Sequence, residues 1–371
     1  MMEKAQATLL QLVRMALWGV EGAIVPSAPE WDKVLHLANK QTVLGLVAEA
    51  VPLLSEEIKP DRQICMKLHA FALKVVNSHV LLNRKVAELK GRLDVLGVHS
   101  VLFKGQGVAL NYPNPTSRQC GDIDMWVGEK NFSKVHEVMK PGSDEDPDKF
   151  RHLKHFNVEE DGVEIEIHRI AEILPGFRKD RMFQEWTKRY LEGPDICMAE
   201  IGGVPVNLPP VQFNALYIMN HAWHHFIVGG IGLRQLCDLV MFLHRNCNEI
   251  DSDVLRKDLE RFGLMRAWQI LAGVAVRHLG LPQAECPLYT GKYDKESDLM
   301  LDVVWSEGNF GHHPDRKRSP RPKGHFAGKF HSFRNHTARI ARIFRISPAD
   351  VAISWCSYFI TGLRNVFVRI K

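Results

Sequence analysis

One stretch of the sequence changes the hydrophobic pattern from that of helices to that of strands and places two carboxylates side by side. A Lys-Gly-Gln-Gly turn follows a short apolar strand, and a second strand then carries Asp122 and Asp124. Because side chains alternate along a strand, these two aspartates point to one side while Ile123 and Met125 point into the core. Two like charges held together repel, which indicates that a cation normally lies between them.

A hairpin further along the chain supplies more carboxylates. Asp161-Gly162 separates two alternating runs, and Asp-Gly between such runs is a strong hairpin signal. In the second arm the apolar residues share one face, which leaves Glu164, Glu166 and His168 on the other. The hairpin therefore predicts a third carboxylate for the aspartate pair.

Outside this segment the hydrophobic spacing is that of helices. Apolar residues recur at helical intervals over residues 5–54, a long helix is predicted over 61–97, and helical patterns return from residue 212 onward. The sequence therefore predicts an α+β fold, with a small mixed β-sheet embedded between N-terminal helices and a C-terminal helical domain. We divide the chain into an N-terminal helical region (1–97), an α/β core (98–205), a C-terminal helical domain (206–311) and a basic tail with an amphipathic helix (312–371).

The tail differs in charge from the rest of the chain. Thirteen Lys and Arg against two acids give residues 312–371 a charge of +11, which leaves −6 for the remainder of a chain whose net charge is +5. A basic block of this kind favours contact with a polyanion or an anionic membrane surface. The alternatives are a solvated arm or a last helix that packs on the helical domain.

Composition limits the class of protein. With 45% hydrophobic and 25% charged residues the chain is typical of a globular protein, and its seven cysteines are scattered without a C-x-x-C pair. That cysteine usage fits a reducing compartment. We find no signal peptide and no apolar run of the ~18 residues that a membrane span needs, so we expect a soluble, cytoplasmic protein.

These motifs together resemble a known family. A strand followed by Lys-Gly, a short helix, Tyr-Pro-x-Pro, Arg, Asp-Ile-Asp and a later Glu-Ile-His are similar to the uncharacterised nucleotidyltransferase family of the DNA polymerase β-like nucleotidyltransferase superfamily. The resemblance covers about residues 35–243. The superfamily hallmark is a glycine turn after the first strand, a D-x-D on the second and a third carboxylate on a neighbouring strand, and all three occur here in that order.

The resemblance implies a nucleotidyltransferase that moves NMP from an NTP by a two-metal mechanism. In-line attack on an α-phosphate builds negative charge that two Mg²⁺ ions, or Mn²⁺, about 3.5–4 Å apart would clamp. We assign Asp122 and Asp124 to both metals and Glu166 to the third ligand position. Glu164 faces the same side and stays an alternative; the family-like string Glu-Ile-His favours Glu166.

The phosphates of the NTP are expected near the glycine turn. Gly105 lets the backbone approach a phosphate, and Lys104 and Arg118 supply positive charge. Gln106 is counted with them as a nucleotide-binding residue. The superfamily usually has Gly-Ser or Gly-Gly here, so this chain lacks a serine hydroxyl at that position. The alternatives are a surface charge for Lys104 and a clamp on Asp122 or Asp124 for Arg118.

A further group of residues is expected to line the substrate cleft. It consists of Glu164, His168, His221, His225 and Arg234. The plainer alternatives are a strand histidine with satisfied hydrogen bonds, histidines at the edge of the core, and an Arg234–Asp238 pair one helical turn apart. Metal binding by His221 and His225 is disfavoured because the chain lacks the glutamate of a metalloprotease motif.

Two functions from different classes follow. The first is the enzyme, with NTP as one partner and an unknown hydroxyl or phosphate acceptor on a small molecule, sugar, RNA or protein as the other. The second is a catalytically degenerate scaffold or regulatory module that binds nucleotide, RNA or anionic membrane through its basic tail. If the three carboxylates do not converge within reach of one cation, the second gains.

Overall fold

The computed structural model describes residues 3–19, 29–142, 153–309 and 325–367. Four α-helices precede the first strand in this part of the chain: α1 (Lys4–Trp18), α2 (Trp31–Lys40), α3 (Leu44–Ala50) and α4 (Arg62–Val95). The long helix α4 starts where the sequence predicts, because the Asp61 side chain accepts a hydrogen bond from the Ile64 backbone at 2.9 Å and caps its first turn.

The central sheet has four strands and is mixed. Its strands are β1 (Val101–Phe103), β2 (Asp122–Trp126), β3 (His155–Glu160) and β4 (Val163–His168), with α5 (Gly105–Ala109) after β1 and α6 (Gly128–Met139) after β2. The strand order is β1-β2-β4-β3. The β2–β4 pair is parallel and the other two pairs are antiparallel. The predicted hairpin and the predicted mixed sheet are both confirmed.

One face of this sheet is buried against α4 and α6. Ile123 and Met125 on β2, and Ile165 and Ile167 on β4, are fully buried in one hydrophobic cluster with leucines and valines of α4. This confirms that the alternating apolar residues point into the core. The opposite face carries the polar side chains and is turned toward helices that follow later in the chain.

A second, two-stranded sheet was not predicted from the sequence. After α7 (Phe177–Leu191), β5 (Cys197–Ile201) and β6 (Val204–Leu208) form an antiparallel hairpin through a Gly-Gly turn. Both turn glycines have positive φ, 63° at Gly202 and 80° at Gly203. A Cβ on Gly202 would lie 2.3 Å from the Asn83 carbonyl oxygen, so the turn packs directly on α4.

The rest of the described chain is helical. It contains α8 (Val211–Val228), α9 (Leu233–Asn246), α10 (Ser252–Phe262), α11 (Met265–Leu279), α12 (Asp294–Glu307), α13 (His325–Ile343) and α14 (Pro348–Phe367). Within the described residues, no helix is long and apolar enough to cross a membrane. Helix α14 corresponds to the predicted amphipathic helix of the tail, whereas the basic loop at 316–323 lies outside the described residues.

The N-terminal helices pack on the C-terminal helical region. Trp18 Nε1 donates to the Leu279 carbonyl at 2.8 Å, and Gln41 Nε2 donates to the Val304 carbonyl at 2.9 Å. Both regions contribute to one hydrophobic core that also reaches the polar face of the sheet. The predicted boundaries at 97, 205 and 311 stay predictions, and the sheet lies inside this helical frame.

Candidate active site

The register of the central sheet brings the predicted carboxylates together. In the parallel β2–β4 pair, Asp122 lies opposite Glu164 and Asp124 lies opposite Glu166. Residues opposite one another point to the same side of a sheet, so all four carboxylates share the face turned toward the helices. This face borders a cavity of about 320 Å³.

The cavity collects most of the residues predicted from the sequence. It is lined by Lys104, Gly105, Val108, Arg118, Asp122, Asp124, Lys154, His155, Glu166, Ile218, His221, Ala222, His225, Arg234, Gln235 and Asp238. Helices α8 and α9 therefore close the open side of the sheet. Glu164, His168 and Gln106 are not part of this lining.

Asp124 is the most constrained member of the site. It is 1% exposed, and its Oδ1 accepts from Lys104 Nζ at 2.6 Å and from His168 Nε2 at 2.9 Å. Burial alone would raise the pKa of this carboxyl, but Lys104 and His168 outweigh burial and hold it well below its usual range. Asp124 is therefore a fixed negative charge.

Asp122 differs from Asp124 in its electrostatics. Burial, and then the neighbouring Asp124 charge, raise the pKa of Asp122 above its ordinary value, although Lys104 and Arg234 act in the opposite direction. A second cation close to the pair would remove this repulsion. The asymmetry arises because Lys104 and His168 both bond to Asp124.

The two candidates for the third carboxylate have different surroundings. Glu166 is half-buried and lines the cavity, with Oε2 at 3.2 Å from His168 Nε2. Glu164 is exposed and accepts from Asn157 Nδ2 at 2.6 Å on the next strand. The geometry favours Glu166, whose role as metal ligand stays a prediction.

The three carboxylates do not close around one point in this conformation. Among the described residues, Asp122, Asp124 and Glu166 do not form a group whose ligand atoms all lie within 4.8 Å of one another. The ammonium of Lys104 and the imidazole of His168 lie against Asp124 instead. The Lys104 ammonium and the His168 imidazole thus occupy the position next to Asp124 that a bound metal ion would take.

The glycine turn holds Lys104 in a conformation that non-glycine residues rarely adopt. Lys104 has φ 45° and Gly105 has φ 36°, which bends the chain sharply at the end of β1. The Lys104 side chain is only 16% exposed, so it is not a surface charge. The Gln106 side chain is buried, and neither of its amide atoms has a hydrogen-bond partner in the described part of the chain.

Arg118 clamps a different aspartate from the ones expected. Its Nε and Nη2 donate to Asp238 Oδ1 and Oδ2 at 2.7 and 2.8 Å, in a bidentate pair that is buried. The Tyr112 hydroxyl donates to the same Asp238 at 2.7 Å. Arg118 lines the cavity, but its guanidinium is held by this network.

Arg234, which also lines the cavity, keeps an N–H group that can donate a hydrogen bond to a ligand. Its Nη1 donates to the Gln119 carbonyl at 3.0 Å, while its Nε is buried and has no hydrogen-bond partner among the described residues. Arg118 takes both oxygens of Asp238, and the charge of Arg234 acts to lower the pKa of Asp122.

Comparison with protein-family models agrees with this geometry. Residues 27–280 match the model described as "Uncharacterised nucleotidyltransferase". The chain belongs to this family. A search of curated proteins found no match. One solved structure, the crystal structure of an antigenic nucleotidyltransferase-like protein from Paracoccidioides brasiliensis, aligns at 12% identity over 57% of this chain and 94% of that chain, with a TM-score of 0.32.

The range matched by the uncharacterised nucleotidyltransferase family contains the whole site. It includes the central sheet, the glycine turn, the cavity and helices α8 and α9. Helices α12 to α14 lie beyond it. The part of the chain on which the family assignment rests is therefore the part that builds the cavity.

In this member of the uncharacterised nucleotidyltransferase family, the far side of the cavity is formed by imidazoles and Lys154. Burial lowers the pKa of His225 to about 4 and that of His221 well below its usual value, so both are neutral near pH 7. His221 Nδ1 lies 3.7 Å from the buried carboxylate of Glu172, which accepts from Lys154 Nζ at 3.0 Å.

Sequence reasoning missed three residues on this side: Lys154, His155 and Glu172. His155 follows from the hairpin register, because it lies directly opposite His168. Lys154 precedes β3, and Glu172 follows β4 in a segment without regular structure. Their pairing depends on how these two segments pack, so no local sequence signal finds it.

Proposed function

We propose that the protein is a Mg²⁺-dependent nucleotidyltransferase that moves an NMP group from an NTP to a hydroxyl or phosphate acceptor. The observation that carries the proposal is the parallel register of β2 and β4, which puts Asp122, Asp124 and Glu166 on one face of the sheet, at a cavity that also holds Lys104 and Arg234. Carboxylates beside cations suit a ligand that combines metal ions with a triphosphate.

The donor chemistry fits magnesium. Asp122, Asp124 and Glu166 offer the hard oxygen ligands that Mg²⁺ prefers, and they share one face of the sheet. When bound, the ions would neutralise the charge that builds on the transferred phosphoryl group. A metal ion that binds Asp124 Oδ1 would displace the ammonium of Lys104 from that oxygen. A phosphate oxygen of the NTP would then accept a hydrogen bond from the displaced ammonium.

The other residues bind and position. Arg234, with its unpartnered Nε, is placed to contact the triphosphate beside Asp122. Arg118 positions other residues without contacting the ligand, because its bidentate pair with Asp238 joins α9 to the segment that leads into β2. His168 holds the orientation of Asp124 through its hydrogen bond.

We place the acceptor on the side of the cavity lined by Lys154, His155, His221 and His225. The triphosphate is assigned to the side with Lys104 and Arg234, which leaves the imidazole side for the group that attacks. The neutral imidazoles of His221 and His225 there are able to accept a hydrogen bond from an acceptor hydroxyl and so orient it.

Two measurements test the proposal. Calorimetric titration of the protein with each NTP in the presence of Mg²⁺ is expected to show binding that the Asp122→Asn, Asp124→Asn double variant loses and that Glu164→Gln keeps. Equal binding by the wild type and the double variant would contradict the proposal. Incubation with α-³²P-labelled NTPs and a cell extract then shows whether a small molecule, an RNA or a protein becomes labelled.

One observation favours a second candidate, a nucleotide-binding module that transfers nothing. Lys104 and His168 both bond to Asp124, and the three carboxylates do not close on one point among the described residues. Such a module would bind NTP in the calorimetric titration and leave every acceptor in the extract unlabelled. Transfer of label that depends on Asp122 and Asp124 excludes it.

A further inference from the structure

A second set of metal-ligand atoms lies on the β3 side of the cavity. In the antiparallel β3–β4 pair, His155 lies directly opposite His168, and Asn157 lies opposite Glu166. The two imidazoles therefore point to the same side of the sheet, with ring centroids 5.0 Å apart. Glu166 precedes His168 by two positions and so projects from the same face.

The donor atoms of these side chains are close together. His168 Nε2 lies 3.2 Å from Glu166 Oε2, and His155 Nδ1 lies 3.7 Å from the same oxygen. One ligand atom from each of the three residues falls within 4.8 Å of the others, and in the described ranges this is the group of three that meets that condition. The set combines two imidazole nitrogens with one carboxylate oxygen.

These separations match the edges of a coordination polyhedron. Ligand atoms about 2.0–2.2 Å from a tetrahedral zinc ion lie roughly 3.3–3.5 Å from one another. The observed 3.2 and 3.7 Å bracket that value. Two of the three separations therefore already suit one ion, and the third pair of atoms lies within 4.8 Å.

One of the nitrogens lacks a hydrogen-bond partner. His155 Nδ1 is buried and makes no hydrogen bond in the described part of the chain, since 3.7 Å from Glu166 Oε2 is too long for one. A buried polar atom without a partner is costly, and a bound ion would satisfy it. This orphaned nitrogen points to a ligand independently of the clustering.

We propose that His155, Glu166 and His168 bind a divalent transition ion of the zinc type. Two imidazoles and one carboxylate with a position open to the cavity are a donor set suited to Zn²⁺ or Co²⁺, whereas Mg²⁺ prefers oxygen ligands. The site is thus distinct in chemistry from the magnesium pair, although both use Glu166.

The nearby cations do not exclude such an ion. Lys154 Nζ bonds to Glu172 at 3.0 Å, and Lys104 Nζ bonds to Asp124 at 2.6 Å. Each positive charge next to the site is thereby compensated by a buried carboxylate. Binding of this ion does not depend on nucleotide transfer by the protein.

The test is a titration of the metal-free full-length protein with Co²⁺, followed by visible absorption, and then competition with Zn²⁺. We expect one equivalent of Co²⁺ to bind with a visible spectrum characteristic of nitrogen ligation, Zn²⁺ to displace it, and His155→Gln to bind at least roughly tenfold more weakly. The matched control Asn157→Ala, two positions along the same strand, should bind as the wild type does. No binding, or equal binding by His155→Gln, would overturn the proposal.

X-ray absorption of the zinc-loaded wild-type protein provides a measurement that needs no variant. Two imidazoles in the coordination sphere are expected, and a sphere of oxygen alone or one with sulfur ligands would refute the site. The Asp122→Asn variant separates this result from the proposed function. It should lose Mg²⁺-dependent NTP binding and retain Zn²⁺, so failure of one prediction leaves the other standing.

Discussion

Lys104 Nζ lies 2.6 Å from Asp124 Oδ1, so an ammonium group of the chain itself occupies an oxygen that the proposed function assigns to metal. Lys104 reaches it because positive φ at Lys104 and Gly105 bends the chain at the end of β1. The same lysine is thus placed to compete with a metal ion for Asp124 and to accompany the phosphates of an NTP.

This double role predicts opposite effects of Lys104→Met. Without nucleotide, the affinity for Mg²⁺ should rise, because an uncompensated Asp124 attracts the ion more strongly. The affinity for the Mg²⁺–NTP complex should fall by about tenfold, the loss expected for one charge-assisted hydrogen bond. Calorimetry measures both. Lys154→Met is the matched control, since Lys154 lines the same cavity but bonds to Glu172. Unchanged Mg²⁺ affinity in Lys104→Met would disprove the competition between Lys104 and the metal ion.

The two arginines of the cavity are expected to differ in what they support. Arg118→Gln leaves the buried Asp238 with the Tyr112 hydroxyl as its remaining close donor, and breaking a buried ion pair costs about 3–5 kcal/mol. Arg234→Gln loses one hydrogen bond to the Gln119 carbonyl, worth about 1 kcal/mol, but should weaken NTP binding. Urea unfolding and NTP titration of both variants provide the comparison; equal destabilisation by the two would contradict the assignment.

The choice between Glu166 and Glu164 gives a matched pair of variants. Glu166→Gln should reduce transfer on the order of 100-fold, as expected for loss of a ligand to a catalytic metal. Glu164→Gln should keep nearly full activity because Glu164 is exposed and bonded to Asn157. Rates of label transfer from NTP decide between them. The reverse pattern would make Glu164 the third ligand.

How far the sequence predicts the site depends on the range of the interactions. Alternation along β2 and β4 is local, so the shared face of Asp122, Asp124 and Glu166 follows from the pattern. The Arg118–Asp238 pair joins residues 120 positions apart, and no local pattern encodes it. The i, i+4 spacing instead suggests an Arg234–Asp238 pair within one helix.

The turn of the β5–β6 hairpin has a recognisable signal in the sequence. Gly202-Gly203 separates two short apolar runs, which is typical of a tight hairpin turn. Pro205 in the second arm lowers the strand propensity of that run, and the hairpin is tolerated because its sheet has only two strands. Its packing on α4 through Gly202 depends on the tertiary structure and is not visible in the sequence.

Acid is expected to destabilise the fold through His225. Burial lowers its pKa from the ordinary 6.5 to about 4, so between these values the unfolded chain binds a proton that the folded protein does not. Stability therefore falls as pH falls through this window, by up to about 3 kcal/mol. Urea unfolding from pH 7 to pH 4.5 measures the loss. His225→Gln should flatten the dependence, and the exposed His69→Gln should not; equal slopes in all three proteins would refute this origin.

Cys120 is expected to react as a thiolate at unusually low pH. Burial raises the pKa of its thiol, but the Arg118 guanidinium, with Nη1 at 2.7 Å from Sγ, and His79 outweigh burial and hold the pKa below its ordinary value. Burial raises the pKa of Cys197 in the same protein. Because the thiolate is the nucleophile, alkylation is lost as pH falls through the pKa, so the midpoint of rate against pH should lie lower for Cys120 than for Cys197. Iodoacetamide labelling followed by peptide mass spectrometry gives both midpoints from one sample. The midpoint of rate against pH does not depend on how accessible the sulfur is. A Cys120 midpoint at or above that of Cys197 would therefore show that Arg118 does not stabilise a thiolate two residues before Asp122.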